Sequence, residues 1–280
     1  MGSSDPLLNV AVLVSNVEGM FAAPHFRPPI VPALSLLALS QMPSVKFADV
    51  VALVEADSLF RSSALRLASA PGYASAGPAR SVDQALLRVG LQALVDECVE
   101  AAMTTHVFHA SGHELSMDVV RRHSIAAAHV SRLLSRRSSR PAENAFALGL
   151  LRNAALAAGI HALNTSPLWS HRIKPAVVWP VLVAARPELT RRLIRAWCLP
   201  PSIADRLQSH ETVGASTDAT QAAVLLGHAI ADDLGFSLPY ACERPIETDT
   251  LELCRAVLGL RLSEVNAVTN DARKLLERFY

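Results

Sequence analysis

The chain has 280 residues, of which 51% are apolar and 18% charged, and its formal net charge at pH 7 is +1. Ala and Leu, two strong helix formers, make up nearly a third of the sequence. This composition excludes disordered, collagen-like and disulfide-framework chains and argues against an all-β protein. We therefore expect an all-α fold. With 5% aromatic residues and almost no net charge, neither a nucleic-acid partner nor a membrane partner is expected.

Cysteine usage and the N-terminal residues predict a cytoplasmic protein. The apolar residues 7–14 follow an aspartate and no basic residue, so no secretory signal is predicted. None of the cysteines forms a CxxC pair, and all lie in apolar segments. We expect four buried thiols in a reducing compartment, at Cys98, Cys198, Cys242 and Cys254.

The first hundred residues predict an unassigned arm at 1–25 and then short helices. The Pro-rich residues 26–32 predict an extended entry segment. Helices are expected next through Ala38, then from a Ser44 cap and from Ser58. Ser81 and Gln84 have the spacing of a capping box, and Gly90 is expected to break the helix that they begin.

A boundary between two lobes is expected near Ser111 and Gly112. Beyond it, one helix carries His123 on its apolar face, and residues 142–163 are apolar nearly all round, which predicts a single central buried helix. The remaining predicted helices cover residues 174–185, 188–197, 203–209 and 220–234, one further helix through Leu258, and residues 263–279.

Two clusters of residues are candidates for a catalytic or binding site. His106, His109 and His113 have i, i+3, i+7 spacing, which on one helix would let them approach a metal together. The Ser111-Gly112 break between them favours a polar linker with solvated imidazoles instead.

The second cluster is a basic run with two interpretations. It is either a surface for phosphate or an acidic partner, or the solvated face of an amphipathic helix, which we favour. Its members are Arg121, Arg122, Arg132, Arg136, Arg137 and Arg140.

Six segments occur in an order that resembles one bacterial regulatory family. They are PPIVP at 28–32, VEADSL at 54–59, LRLASA at 65–70, SVDQAL at 81–86 followed by VGL, RAWCLP at 195–200, and the Ala231-Asp232 pair. The family is the HDOD proteins, which are related to the HD-type metal phosphohydrolases. The resemblance implies a helical HDOD lobe at 26–108, a degenerate HD-like lobe at 109–235 and a helical extension at 236–280.

The sequence departs from an active HD hydrolase at the metal ligands. Such an enzyme needs a histidine, an adjacent His-Asp pair about thirty residues later, and a further aspartate. His123 and Asp232 occupy the first and last positions, but Arg152 and Asn153 stand where the His-Asp pair is needed. Arginine is always protonated and cannot bind a cation, and asparagine is a poor substitute for a carboxylate. The resemblance therefore implies a vestigial pocket with no metal or cofactor.

We accordingly expect a non-catalytic regulatory protein in bacterial signal transduction that binds other signalling proteins. Arg152 is expected to pair with Asp232, or else to bind an anionic, nucleotide-like ligand. The apolar stripe of the last helix is expected to pack on its own lobe, or else on a second copy or another signalling protein. The alternative function is a metal-dependent phosphohydrolase with a displaced site that includes the histidines at 106–113.

Overall fold

The computed structural model describes residues 30–73, 77–165, 175–209, 217–239 and 247–277, together with residues 15, 18 and 19. These residues contain no β-strand, which confirms the all-α prediction. The helices are α1 (Val31–Ser40), α2 (Phe47–Glu55), α3 (Ser58–Ala68), α4 (Val82–Val89), α5 (Leu91–Ala102), α6 (Glu114–Arg137), α7 (Ala145–Leu151), α8 (Ala154–Thr165), α9 (Pro175–Ala196), α10 (Pro201–Ser209), α11 (Ala219–Ala231), α12 (Thr248–Leu258) and α13 (Leu262–Leu276). Single π-helical segments, Met103–Val107 and Asp232–Phe236, follow α5 and α11.

The chain divides into two compact units. The smaller consists of Arg27–Val107 and Trp197–Pro200. In it, α3 packs against α4 and α5, and α1 packs against α5. Phe60 and Leu94 are buried in its interior.

Local hydrogen bonds explain where the helices of the smaller unit begin. Ser81 Oγ accepts from the backbone N–H of Gln84, as predicted, whereas Gln84 Oε1 accepts from the N–H of Arg80. Gly90, at φ +80°, separates α4 from α5 as predicted.

Of two predicted helix starts in the smaller unit, one is wrong and the other is confirmed. The predicted Ser44 cap is wrong, because α2 begins after Lys46 with no side-chain cap. Helix α3 begins at Ser58 as predicted, and Asp57 caps it by accepting hydrogen bonds from the N–H groups of Leu59 and Phe60.

The larger unit is built around α6. This unit consists of Met1–Phe26, Phe108–Ala196 and Pro201–Tyr280. Helices α7, α11 and α13 all pack directly against α6, which has 24 residues. The approach is close because small residues face one another: a methyl group added at Gly149 would lie 3.0 Å from the Cα of Ala128. Helix α6 is therefore the axis on which the other helices are positioned.

Two predicted helix boundaries in the larger unit are wrong. The apolar residues 142–163 form two helices rather than one, because the chain turns at Arg152 and Asn153. The Asn153 carbonyl accepts from the N–H groups of Leu156 and Ala157, so α8 begins directly after it. In contrast, α9 is one helix across Pro180 and Pro187, where two were predicted.

Burial within the larger unit accounts for its most apolar segments. The stretch Ala145–Ala162 is long and apolar enough to cross a membrane, but 89% of it is buried, as expected for core helices. The apolar face of α13 is covered by its own chain: Val265, Val268 and Ala272 join a core cluster with Val130 of α6. Phe279, the last residue of the predicted stripe, lies outside the described residues.

The cysteine prediction is correct for two residues and wrong for one. Cys98 and Cys254 are buried, and burial raises the pKa of the Cys254 thiol to about 11. Burial likewise raises the pKa of the Cys98 thiol. Cys198 is exposed, since it lies in a turn at φ +48° between α9 and α10. Cys242 lies outside the described residues.

Because α11 approaches α6 closely, we expect a single added methyl group between them to lower the stability of the fold. A Cβ at Gly227 would lie 3.0 Å from the backbone nitrogen of Ser131 and 3.1 Å from the carbonyl oxygen of Ala127. We expect Gly227→Ala to lower the free energy of unfolding by about 1–3 kcal/mol in a denaturant titration, because the α6 backbone must shift. Gly72→Ala, where the methyl group meets open space, is the control. Equal stability of Gly227→Ala and wild type would contradict the packing.

Candidate functional site

A fully buried histidine lies at the middle of α6. His123 is 0% exposed, and both of its ring nitrogens contact groups from other segments. Its Nδ1 lies 2.8 Å from the carbonyl oxygen of Phe236, and its Nε2 lies 2.8 Å from Nδ1 of His228. Because a carbonyl oxygen only accepts, Nδ1 of His123 carries the proton in the first contact.

The second histidine of the pair comes from α11. His228 is 1% exposed, and its Nε2 lies 3.2 Å from the carbonyl oxygen of Gly149 in α7. The two rings are 4.9 Å apart between centroids and tilted by 42°. The His123–His228 pair thus connects α6, α7, α11 and the backbone at Phe236.

An acidic residue lies beside the pair. Asp232 follows α11, and its Oδ1 lies 3.4 Å from Nδ1 of His123, with 39% of the side chain exposed. The π-helical segment that Asp232 begins contains Gly235 at φ +91°. That left-handed conformation suits glycine and interrupts the helical backbone immediately before Phe236.

Asn153 makes a separate buried contact with Ser124, the residue that follows His123 on α6. Its Nδ2 donates to Ser124 Oγ at 3.2 Å, and Ser124 Oγ donates to the Val120 carbonyl at 2.6 Å. Asn153 is 0% exposed, and its Oδ1 has no hydrogen-bond partner among the described residues. Arg152, partly buried, precedes it in the turn between α7 and α8.

The structure brings three of the predicted site residues, His123, Asn153 and Asp232, into one region. Asp232 approaches His123, and Asn153 contacts the neighbour of His123 on α6. An ion pair between Arg152 and Asp232 stays a prediction. The sequence reasoning missed His228, although its position four residues before Asp232, on the same side of one helix, was an available signal.

The basic run has several acidic or aromatic contacts. Arg121 and Arg122 lie 2.5 Å and 3.7 Å from Asp118, and Arg137 lies 2.7 Å from Asp271 of α13. Arg132 turns to the interior, where it contacts His129 Nδ1 at 2.8 Å and its guanidinium lies 5.0 Å from the centre of the Phe146 ring. Arg132 is thus an exception to the solvated face expected for this run.

The histidines at 106–113 do not share a helix. His106 lies in the π-helical segment Met103–Val107, Gly112 adopts φ +82°, and His113 immediately precedes α6. The Gly112 N–H donates to Glu114 Oε1 at 2.8 Å. This hydrogen bond lowers the pKa of that exposed carboxyl, and His109 and His113 lower it further. In the described part of the chain, no three His, Cys, Asp or Glu side chains are grouped as metal ligands would be.

Comparison with known proteins identifies the family. Residues 28–213 match the HDOD domain, and this match covers well over half of the chain. The chain belongs to the HDOD domain family. Among curated proteins, none shows a significant match to the sequence.

Solved structures of low sequence identity share this HDOD fold. An HDOD domain protein of unknown function from Geobacter sulfurreducens has a TM-score of 0.65 at 18% identity, covering 97% of this chain and 99% of that one. A protein of Shewanella amazonensis SB2B, provisionally named a metal-dependent phosphohydrolase, has a TM-score of 0.69 at 13% identity and 96% coverage of both chains. A protein of Marinobacter aquaeolei VT8, provisionally named a signal transduction protein, has a TM-score of 0.62 at 19% identity, covering 97% of this chain and 65% of that one.

Because Asn153 is buried, we expect a carboxylate at this position to lower the stability of the fold, by an amount that depends on pH. In Asn153→Asp, burial would raise the pKa of the new carboxyl above its ordinary value of about 3.9, because the charged form is poorly solvated. The variant should therefore approach wild-type stability below about pH 4 and lose stability as the pH rises above it.

Chemical denaturation of Asn153→Asp at pH 4 and pH 7 measures this effect. Asn153→Ala is the matched control: it removes the amide without adding a charge, so its difference from wild type should not change with pH. A pH-independent effect of Asn153→Asp would contradict the buried position of the side chain.

Proposed function

We propose that this HDOD protein is a non-catalytic regulatory component of bacterial signal transduction that acts by binding other signalling proteins. The observation that carries the proposal is the engagement of both ring nitrogens of His123 by Phe236 and His228. The proposal includes a cytoplasmic location and leaves a second copy of the chain as one of the partners to be tested.

The arrangement around His123 does not fit a catalytic metal. A histidine ligand needs a deprotonated nitrogen with its lone pair directed at the ion. Nδ1 of His123 directs a proton at the Phe236 carbonyl, and Nε2 faces another buried imidazole at hydrogen-bond distance. A metal would have to displace one of these partners from a fully buried position.

The residues at the central ligand position support the same conclusion. Arg152 carries a permanent positive charge, which opposes a divalent cation. The amide nitrogen of Asn153 donates to Ser124, which leaves only a neutral oxygen as a ligand for a metal. Metal-assisted attack of water on a phosphate ester would lack the central imidazole and carboxylate ligands that help to hold the ion and activate the water.

The family supports the signalling part of the proposed function. An HDOD domain that spans residues 28–213, and a relative in fold that is provisionally named a signal transduction protein, favour a role in signalling. Without hydrolysis, the output of such a domain would be a change in what it binds. Partners recognised through exposed side chains of the helices are consistent with that role.

Metal content and phosphodiesterase activity test the proposal. After dialysis against Mn²⁺, we expect the purified protein to hold far less than one equivalent of metal and to show no hydrolysis of phosphodiester substrates above a metal-only blank. The double variant Arg152→His/Asn153→Asp, which recreates the His-Asp pair, is the matched comparison for metal retention.

About one equivalent of manganese in the wild type, with turnover that disappears in His123→Ala, would overturn the proposal. It would instead support the alternative of a metal-dependent phosphohydrolase. The double variant identifies the cause of any loss of metal, because a gain of manganese there locates the defect at residues 152 and 153.

A further inference from the structure

A cavity of about 310 Å³ lies between α9 and α10, two helices of the larger unit. Helix α9 lines it with Pro187, Thr190 and Arg191, and α10 lines it with Leu207 and Gln208. The three residues of α9 have i, i+3, i+4 spacing, so they share one face of the helix. The volume is at the lower end of the range for small-molecule sites in proteins.

The described residues of this cavity combine an apolar part with a few polar groups. Leu207 is 5% exposed, and Pro187 adds a second apolar surface. The Thr190 hydroxyl and the Gln208 amide can each donate and accept hydrogen bonds. Arg191 is the charged residue among the described residues that line the cavity. A mostly apolar lining with a few placed polar groups is typical of a site for a small organic molecule.

The surroundings of the cavity carry an excess of positive charge. The charged residues of α9 all lie in the segment RPELTRRLIR at 186–195, which contains four arginines and one glutamate. That glutamate, Glu188, contacts both Arg191 and Arg192 at 2.6 Å, and Arg192 also contacts Glu18. Because one carboxylate of this segment is shared between two guanidinium groups, the local field favours an anionic ligand over a cationic one.

Arg191 can bind a ligand without the loss of a strong internal contact. Its side chain is 54% exposed, and its Nη2 is the atom that contacts Glu188 Oε2. An ion pair that is this exposed contributes little to stability. The guanidinium has five N–H donors in a planar fork, so a second carboxylate can share it with Glu188 or replace Glu188.

We propose that the cavity between α9 and α10 binds a small monocarboxylate with an apolar ring or chain. The ligand carboxylate pairs with Arg191, whose fork matches two carboxylate oxygens, and the apolar part contacts Leu207 and Pro187. A single arginine in the lining, already shared with Glu188, balances one ligand charge better than the nearly two charges of a phosphate monoester at pH 7.

This ligand site goes beyond the proposed function and does not depend on it. Its described lining residues are separate from His123, Asn153 and Asp232, so binding of a carboxylate requires no statement about metal or hydrolysis. A small molecule bound here would give a regulatory protein a signal to respond to.

An NMR titration of the wild-type chain with phenylacetate tests the site. We expect saturable shifts of the backbone amides of Thr190 and Arg191 and of the side-chain amide of Gln208. Benzyl alcohol, which has the ring without the charge, should bind about tenfold more weakly or worse, because it lacks the charge-assisted hydrogen bonds. Phenyl phosphate should bind no more tightly than phenylacetate.

Two variants with opposite expected effects separate recognition of the ligand from damage to the fold. Arg191→Gln should weaken phenylacetate binding about tenfold or more, because the ion pair with the ligand is lost. Glu188→Gln removes the competing carboxylate and should tighten binding by about two- to fivefold. Arg137→Gln, which breaks the exposed ion pair with Asp271, is the control and should leave binding unchanged.

Three results would overturn the proposal. The first is the absence of saturable shifts at Thr190, Arg191 and Gln208 in the wild type, which needs no variant to fold. The second is phenylacetate binding that is equal in Arg191→Gln and wild type, or that is not tightened in Glu188→Gln. The third is equal binding of benzyl alcohol, which indicates a purely apolar cavity, or tighter binding of phenyl phosphate, which indicates a phosphate site.

Discussion

The structure of the larger unit depends on how a fully buried imidazole in the middle of α6 is satisfied. His123 has no access to water, so both ring nitrogens must find partners within the protein or destabilise the fold. The backbone of Phe236 supplies one partner and His228 of α11 the other. These two contacts fix the position of α11 and of the segment that follows it on α6. The same contacts occupy the nitrogens that a metal would need.

This arrangement is possible because the helices around α6 approach it unusually closely. Gly149 and Gly227 face Ala127, Ala128 and Ser131 with no room for a larger side chain. The close approach brings the Gly149 carbonyl within reach of His228, and brings His228 within reach of His123. The small residues that the composition shows as an abundance of alanine therefore have a specific role at this crossing.

Composition and periodicity were sufficient to predict the helical class and several helix starts, because helix propensity and apolar spacing act locally. They were insufficient where tertiary contacts determine the helix boundaries. The break at Arg152 and Asn153 lies within an apolar stretch that predicts one helix, and the continuity of α9 across two prolines contradicts their usual effect.

The candidate site was predictable only in part, because some of its contacts also depend on tertiary packing. A family resemblance indicated His123 and Asp232, whereas the partner His228 depends on the packing of two helices more than a hundred residues apart in sequence. Asn153 was predicted as a lost ligand, but its contact with Ser124 follows from the angle of the turn after α7. The exposure of Cys198 likewise follows from a turn that its apolar neighbours do not reveal.

The central claim is that protein groups, and not a metal, occupy the nitrogens of His123. A high-resolution crystal structure of the protein soaked in Mn²⁺, with anomalous diffraction data, tests it most directly. We expect His123 to keep its contacts with Phe236 and His228, and no anomalous peak within about 2.5 Å of either ring. A manganese peak at bonding distance from His123, with His228 turned away from it, would contradict the account.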